Sequence, residues 1–294
     1  MSTPGPLSAW VSAARPKTLA AGAAPVLVGT ALAAADGLLQ WLPALAALAG
    51  SLLIQVGCNF ANDYFDHKKG ADTEDRVGPD RAVAKGWITP KQMAWATAIS
   101  LMLAFLVGVY LIMVGGWPIL AIGLASLLCA VAYTGGPMPL AYVGLGDVFV
   151  FLFFGLAAVT GTYWVQAASV PAHVWVAGAC MGVLATAILV VNNLRDRHTD
   201  AAADKRTLAV RFGPTAARWE YTLLHISAYA SVAALVLLGA RQSGWMLCWG
   251  ALPLSVIEIR AIWRTDGPAL NPHLGGAARV ELAFGLLLSA GAMI

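Results

Sequence analysis

Nine apolar blocks, each close to the length of a membrane-spanning helix, follow one another along this 294-residue chain. A hydrocarbon core about 30 Å thick needs roughly 20 apolar residues per helix, and the backbone polar groups must bond within that helix. Only 11% of the residues are charged, whereas about 25% is usual for soluble domains. We therefore predict an all-α polytopic membrane protein with nine transmembrane helices. They lie near 18–35, 41–62, 92–114, 117–134, 143–166, 173–194, 218–239, 245–262 and 278–294.

Lysine and arginine are distributed unequally between the two ends of these helices. If the spans alternate, the N-terminal arm and the loops 63–91, 135–142, 195–217 and 263–277 lie on one face. Of the 18 Lys and Arg residues, only Arg241 falls on the other face. Positive charge is retained in the cytoplasm, so we expect the N-terminus and these loops there and the C-terminus outside the cell membrane. Residues 1–14 lack the features of a secretory signal, so no cleavage is expected.

The cysteines and histidines do not form ligand sets. The cysteines lie in apolar segments without paired spacing, which is typical of small buried residues rather than of disulfides or a zinc site. The five histidines have no metal-ligand spacing either. We expect membrane lipids as surroundings and no nucleic-acid partner.

Two acidic clusters stand at the ends of the second and sixth spans. In each, an Asn precedes two Asp residues on one helical face: Asn59, Asp63 and Asp66 in the first, Asn192, Asp196 and Asp200 in the second. The clusters are four spans apart on the same side. This is expected if about 15–142 and 143–262 are four-helix pseudo-repeats, followed by a last helix at 278–294. Because the repeat is parallel, both acidic faces can line one central cavity.

The acidic clusters have the composition of a magnesium–diphosphate site. Carboxylates that converge at a membrane boundary repel one another and resist desolvation. A divalent cation removes that cost, and Mg²⁺ characteristically binds through a few carboxylates, waters and substrate phosphates. Solvated helix ends are the alternative reading. Asp72, in the loop that follows the first cluster, is a further candidate ligand.

Cations follow both acidic clusters in the sequence. A metal ion neutralises only part of the charge of a diphosphate, so nearby cations would complete the site. The ordinary cytoplasmic excess of positive charge is the alternative explanation for each residue. The candidate diphosphate-binding residues are Lys68, Arg76, Arg81, Lys205 and Arg206.

The two motifs resemble the signatures of a known family. "NxxNDYFDxxxGxD" at 59–72 and "NNLRDxxTDxxxDKRTLAVRFG" at 192–213 are similar to those of the UbiA superfamily of intramembrane aromatic prenyltransferases. "ARPKTLAAGAAPVLVGTALA" at 14–33 and "YTGGPMPLAYVGLGD" at 133–147 resemble its branch that prenylates 1,4-dihydroxy-2-naphthoate in menaquinone synthesis. The 4-hydroxybenzoate branch typically has a Lys-bearing tract at Thr134–Pro139. The resemblance does not extend to the last three spans, and Asp147 stands where many relatives have Glu.

The resemblance implies a nine-helix bundle that opens laterally to lipid, with its site near the cytoplasm. It implies Mg²⁺ as cofactor, with Asn59, Asp63, Asp66, Asp196 and Asp200 as ligands. A polyprenyl diphosphate would donate its polyprenyl group to 1,4-dihydroxy-2-naphthoate, with loss of CO₂ and diphosphate. Candidates for contacting the acceptor or shielding the allylic cation are Tyr64, Tyr133, Tyr142, Asp147, Arg15 and Lys17.

Two other functions compete with this interpretation. A related prenyltransferase could use another acceptor, such as 4-hydroxybenzoate, haem or a polar phospholipid. A secondary transporter also has internal repeats and acidic residues in its spans. Transporters place such charge near the bilayer midplane, whereas these clusters lie at helix ends beside basic loops. The sequence therefore favours the enzyme.

Overall fold

The computed structural model of the protein describes residues 4–71 and 77–294, without the side chain of Lys17. Regular structure in these residues is helical throughout. A π-helical turn, Phe151–Ala157, joins α6 to α7, and 3-10 segments, Ser243–Ala251 and Gly267–Leu270, precede α10 and α11. The helices are α1 (Pro6–Ala14), α2 (Pro16–Ala35), α3 (Trp41–Lys68), α4 (Pro90–Gly115), α5 (Trp117–Ala132), α6 (Gly146–Val150), α7 (Ala158–Ala167), α8 (Ala172–Ala202), α9 (Leu208–Leu237), α10 (Leu252–Arg264) and α11 (Asn271–Ala292).

Eight helical stretches in the described residues are long and apolar enough to cross a membrane. They confirm an all-helical, multi-pass membrane protein. Each corresponds to one of the predicted spans. The remaining predicted span corresponds to α5, which has 16 residues and is therefore about 24 Å long at 1.5 Å per residue. That length is shorter than a typical hydrocarbon core.

Several helices continue beyond the predicted spans. The second and sixth spans, predicted to end at 62 and 194, extend as α3 to Lys68 and as α8 to Ala202. Much of the predicted loop 263–277 is helical, because α11 begins at Asn271. At that helix start, His273 Nδ1 lies 2.8 Å from Glu258 Oε2 of α10. A segment whose polar side chains pair with a neighbouring helix can remain helical, although hydropathy alone assigns that segment to a loop.

Glycines bring the π-helical turn and α8 into close contact. The π-helical turn packs against α8 where Gly155 faces Gly178 and Gly182. A Cβ atom added to Gly155 would lie 2.4 Å from the Cα of Gly182, so a side chain there would force the helices apart. Small residues at i and i+4 permit such approaches between membrane helices. Around this contact, the apolar core joins residues of α2, α7, α8, α9 and α11.

The outlying cation Arg241 belongs to a polar cluster at the other end of the bundle. Its Nη2 lies 3.5 Å from Asp36 Oδ1, at the end of α2, and also contacts His173 at the start of α8. Asp36 Oδ2 accepts a hydrogen bond from the Tyr163 hydroxyl at 2.8 Å. The ion pair explains how a single arginine is accommodated on that face.

Candidate active site

The first acidic cluster is buried on one face of the last three turns of α3. Asn59, Asp63 and Asp66 are all less than 9% exposed. Asp63 holds the following loop in place: its Oδ2 accepts from the backbone N–H of Ala82 at 3.0 Å and its Oδ1 from that of Val83 at 3.2 Å. Burying a carboxylate is tolerable when such donors satisfy it. Asp63 therefore fixes the loop that carries the neighbouring cation, Arg81.

Asn59 connects this cluster to the N-terminal helices. Its Nδ2 donates to Ala14 O at 2.9 Å and to Thr18 Oγ1 at 3.0 Å. Arg15, between α1 and α2, donates from Nη2 to Asn59 O at 3.5 Å and has a left-handed φ of 53°. Such backbone conformations are costly for residues other than glycine and recur at functional sites. The junction places the Arg15 guanidinium beside the acidic face.

Asp66 lies at the centre of the described contacts. Arg81 Nη2 donates to its Oδ2 at 3.1 Å, and the Tyr142 hydroxyl donates to its Oδ1 at 3.0 Å. The side chains of Arg81 and Asp66 are both buried, with 8% and 7% of their surfaces exposed, respectively. Tyr142 comes from the loop between α5 and α6, so Asp66 connects two predicted site segments.

The second acidic cluster lies on the last turns of α8. Arg195 is buried and donates to both oxygens of Asp196, at 2.7 Å and 2.6 Å. It also donates to Asn192 Oδ1 at 2.7 Å and to Asn271 Oδ1 at 3.2 Å. One turn further on, Lys205 Nζ lies 3.3 Å from Asp200 Oδ1. The other oxygen of Asp200 is buried and has no hydrogen-bond partner among the described residues.

The two clusters meet at Tyr142. Its hydroxyl bonds to Asp66, and Lys205 Nζ lies 6.0 Å from the centre of its ring. Its carbonyl accepts from Arg206 N at 2.9 Å, which fixes the loop after α8 to the loop after α5. Lys205 Nζ in turn lies 3.3 Å from Asp200 Oδ1. The structure thus brings Asp66 and Asp200, separated by 134 positions, to one site.

The predicted cations differ in their surroundings. Arg81 and Lys205 each pair with a cluster carboxylate, whereas Lys68 is exposed. Arg206 is also exposed and pairs with Asp204, its Nε 3.0 Å from Oδ1.

Lys69, which the sequence reading left out of the site, contacts it. Its Nζ lies 4.4 Å from the centre of the Tyr142 ring and donates to Thr134 O at 2.6 Å. Partial burial lowers the pKa of its ammonium group from the ordinary value, and Asp66 acts in the opposite direction. Lys69 follows Asp66 by three positions and so shares its helical face, a signal that could have identified it.

A cavity of about 330 Å³ opens beside these residues. Its walls come from α2, α3, α4, α5, the π-helical turn and α7, and they are mostly apolar. Of its polar lining residues, Gln55, Cys58, Asn59, Asn62 and Tyr133 lie on the side of the acidic clusters. Ser51, Ser126, Cys129 and Thr162 also line it. Ligand pockets typically have this design, an apolar volume with a few convergent polar groups.

The remaining candidate residues occupy different places. Tyr133 lines the cavity and is within electrostatic range of Asp147, Asp66 and Asp200. Asp147 is buried, and its Oδ1 has no partner in the described part of the chain. Tyr64 packs edge-on against Phe65, 5.0 Å between ring centres, and is not among the cavity-lining residues.

Three candidate positions lie outside what the structure describes. Asp72 and Arg76 fall within 72–76, and only the backbone of Lys17 is described. Across 4–71 and 77–294, no group of three or more His, Cys, Asp or Glu side chains is arranged to hold a metal ion. The donor types nevertheless suit Mg²⁺, because they are carboxylate oxygens and one oxygen of Asp200 has no partner among the described residues. Both oxygens of Asp63, Asp66 and Asp196 accept hydrogen bonds from protein groups.

The chain is similar in sequence and in fold to known proteins. A model of the UbiA prenyltransferase family matches residues 23–272. A 1,4-dihydroxy-2-naphthoate octaprenyltransferase of Escherichia coli is 39% identical, over 96% of this chain and 94% of that protein. The Haemophilus influenzae protein of the same name is 36% identical, over 98% and 96%.

Solved structures of the family share the fold. The apo structure of a UbiA homolog from Aeropyrum pernix K1 matches with a TM-score of 0.72 at 15% identity, over 94% of this chain and 97% of that one. A UbiA homolog from Archaeoglobus fulgidus, bound to GPP and Mg²⁺, matches with a TM-score of 0.68 at 16% identity, over 96% and 99%.

Proposed function

The chain belongs to the UbiA prenyltransferase family, and we propose that it transfers a polyprenyl group from a polyprenyl diphosphate to 1,4-dihydroxy-2-naphthoate. CO₂ and diphosphate leave, and the product is demethylmenaquinol. The observation that carries the proposal is the meeting of Asp66 and Asp200 across Tyr142, at the polar end of an apolar cavity. The names of the relatives at 36–39% identity support the choice of acceptor.

We assign the metal and the diphosphate to the acidic clusters. Asn59, Asp63, Asp66, Asp196 and Asp200 would hold Mg²⁺, with Asp72 as a further ligand. The solved homolog bound to GPP and Mg²⁺ supports a divalent metal in this fold. When bound, the metal supplies Lewis-acid stabilisation of the charge on the departing diphosphate.

The chain's own cations share this charge. Arg81 pairs with Asp66 of the first cluster, Lys205 pairs with Asp200 of the second, and Lys69 lies over the ring of Tyr142. As the allylic C–O bond lengthens, negative charge accumulates on the diphosphate oxygens next to these groups. Fixed cations in a site poor in water stabilise that charge strongly, because they need no reorganisation at the moment of reaction.

The cavity receives the aromatic acceptor. The acceptor ring lies at the polar end, near Tyr133, and its carbon bearing the carboxylate attacks the allylic carbon. The new C–C bond forms with the ring electrons, and loss of CO₂ returns an electron pair to the ring. Apolar walls keep water from capturing the allylic cation. We assign Asp147 and Arg15 to acceptor contact and the ring of Tyr133, which lines the cavity, to shielding of the cation.

We propose nine membrane crossings, with α5 as the short one, arranged as two four-helix repeats and a last helix. The site, the N-terminus and the basic loops then face the cytoplasm, and the C-terminus lies outside. The distribution of Lys and Arg supports this orientation, since Arg241 is the exception and is ion-paired. Accessibility of single-cysteine variants in sealed vesicles tests it.

The test of function uses purified protein in detergent with a polyprenyl diphosphate, Mg²⁺ and either 1,4-dihydroxy-2-naphthoate or 4-hydroxybenzoate. The expected result is diphosphate release and prenylated naphthalenediol, both lost on chelation of the metal. Turnover of 4-hydroxybenzoate without turnover of the naphthoate contradicts the acceptor. Solute flux across sealed vesicles in the absence of Mg²⁺, with no product formed, contradicts the enzyme and supports a transporter.

A further inference from the structure

Asn271, the first residue of α11, connects the loop after the first acidic cluster to the helix of the second. Its Nδ2 donates to the carbonyl oxygen of Val77 at 3.1 Å, and its Oδ1 accepts from Arg195 Nη1 at 3.2 Å. A guanidinium can only donate and a backbone carbonyl can only accept, so both neighbours fix the same orientation of the amide. Val77 and Asn271 are 194 positions apart, so the connection exists only in the folded chain.

The start of α11 is anchored on α8. Leu270, immediately before Asn271, is fully buried and packs in one apolar cluster with Leu194 of α8. In the same segment, Asp266 forms an ion pair with Arg197 of α8. The side chain of Asn271 therefore projects from a segment that is fixed to the helix of the second cluster.

On α8, the amide joins the network that orients Asp196. Arg195 is 2% exposed, and its Nε and Nη2 donate to the two oxygens of the Asp196 carboxylate. The remaining nitrogen, Nη1, is the one that donates to Asn271. Because the guanidinium is planar, a hydrogen bond at Nη1 restrains the direction in which the other two nitrogens meet the carboxylate.

On the other side, the amide holds the loop between α3 and α4. Asn271 fixes this loop at Val77. Asp63 fixes it further along, through two backbone N–H groups. Arg81, which pairs with Asp66, lies between these two anchors. The position of the Arg81 guanidinium therefore depends on both of them.

The helices that carry the two clusters need such bridges. Among the described residues, α3 and α8 share no extensive contact. Tyr142 provides one bridge, because its hydroxyl bonds to Asp66 and its carbonyl to the backbone of Arg206. Asn271 provides a second bridge. A diphosphate has a fixed length, so a complex that touches both clusters requires a fixed spacing between them.

We propose that Asn271 is a positioning residue for the metal–diphosphate complex. It ties the loop that carries Arg81 to the guanidinium that orients Asp196, and so holds the two clusters at the spacing that one diphosphate spans. The inference rests on the proposed function. It gives the start of α11, which lies outside both acidic clusters, a part in the reaction.

The first measurement is made without substrate or metal. Nitroxide labels are attached at Lys85→Cys, in the loop after α3, and at Ala202→Cys, at the end of α8, both exposed positions. The four native cysteines are replaced by alanine in this background, which must retain turnover. Double electron–electron resonance then gives the distribution of distances between the labels. We expect a narrow distribution in the background and a broader or displaced one when Asn271→Leu is added.

Two further variants separate the contacts of Asn271 from the general stability of α11. Asn271→Asp keeps an oxygen for Arg195 but removes the donor to Val77, so it loses one contact and keeps the other. The matched control is His273→Leu at the same helix start, because the His273 ring contacts Glu258 of α10, at 2.8 Å, and neither of the two clusters. We expect a changed distribution of distances in Asn271→Asp and an unchanged one in His273→Leu.

The second measurement is steady-state kinetics with a polyprenyl diphosphate, Mg²⁺ and 1,4-dihydroxy-2-naphthoate. Asn271→Leu loses two hydrogen bonds, so we expect the donor KM and the half-activating Mg²⁺ concentration to rise at least about tenfold, while the acceptor KM stays within about twofold. Asn271→Asp loses one, so its donor KM should rise about threefold or more. His273→Leu should lower the unfolding midpoint and leave both KM values unchanged.

The outcomes are distinguishable. A donor KM that is unchanged in Asn271→Leu and Asn271→Asp overturns the inference, whether or not the label distances change, and turnover by wild type then leaves the proposed function intact. Equal rises of the donor KM in Asn271→Leu and His273→Leu also overturn it, because the effect would then come from the stability of α11. If wild type releases no diphosphate, the proposed function fails and the positioning role fails with it.

Discussion

Replacing Arg195 by methionine should destabilise the protein more than any other single loss of charge in the acidic clusters. The guanidinium is 1% exposed and donates to both oxygens of Asp196, to Asn192 and to Asn271. Methionine fills much of the volume of the arginine stem and removes all of these donors. The Asp196 carboxylate is then left buried without its counter-ion.

The structure sets the size of the effect. Removing one partner of a buried, hydrogen-bonded ion pair costs about 3–5 kcal/mol, because the remaining charge keeps its desolvation penalty. The matched control is Arg197→Met, two residues along α8, whose partner Asp266 has 46% of its side chain exposed. An exposed pair of this kind contributes about 0–1 kcal/mol.

The assay is denaturant unfolding of detergent-solubilised protein, followed by tryptophan fluorescence, for both single variants and for the double variant Arg195→Met with Asp196→Asn. Because the double variant no longer buries an unpaired charge at position 196, it should regain about 2–3 kcal/mol as coupling energy. It should remain inactive, since Asp196 is a candidate metal ligand. Equal stability losses in Arg195→Met and Arg197→Met would refute the reasoning, as would an additive double variant.

Three further perturbations test other parts of the structure. Glu281 is fully buried in α11, and neither of its carboxyl oxygens has a partner in the described part of the chain. Glu281→Leu should therefore raise the free energy of unfolding by about 1–3 kcal/mol and retain turnover. A lower unfolding midpoint in this variant contradicts the prediction. Gly155→Val should lower the thermal midpoint sharply, because its Cβ would lie 2.4 Å from Gly182 Cα; Gly37→Val, whose Cβ meets nothing within 4 Å but whose φ is 73°, serves as a comparison for backbone strain alone. The Arg197 hydrogen bonds lower the pKa of the Asp266 carboxyl, so the stabilisation from this ion pair is fully present above about pH 4 and is lost as the pH falls through the lower folded-state pKa. The difference in thermal midpoint between wild type and Asp266→Asn should therefore vanish in acid. A difference that persists in acid refutes this prediction.

Much of the fold follows from local sequence. A span of apolar residues must be helical in lipid, so each long apolar block predicted a helix that the structure contains. The acidic trios were equally local, because residues at i, i+4 and i+7 or i+8 share a face of one helix. Helix ends were harder to predict. At the start of α11, His273 contacts Glu258 of α10, a tertiary contact that hydropathy does not record.

The residues that sequence reasoning missed owe their positions to other parts of the chain. Arg195 was counted with the cytoplasmic excess of positive charge, although its neighbour Asp196 and the distant Asn271 bury it. Asn62 and Thr134 are 72 positions apart, and nothing in a single sequence pairs them. Lys69 could have been preferred to Lys68 from helical geometry alone, since only Lys69 follows Asp66 by three positions.

The central claim is that both acidic clusters hold one metal–diphosphate complex. Electron paramagnetic resonance of Mn²⁺, a substitute for Mg²⁺, measures the bound metal with and without a non-hydrolysable polyprenyl thiodiphosphate. We expect wild type to bind Mn²⁺ tightly only with the analogue, and Asp66→Asn and Asp200→Asn each to lose that binding. If either variant is correctly folded and still binds Mn²⁺ as tightly as wild type does, the two clusters do not share one metal site.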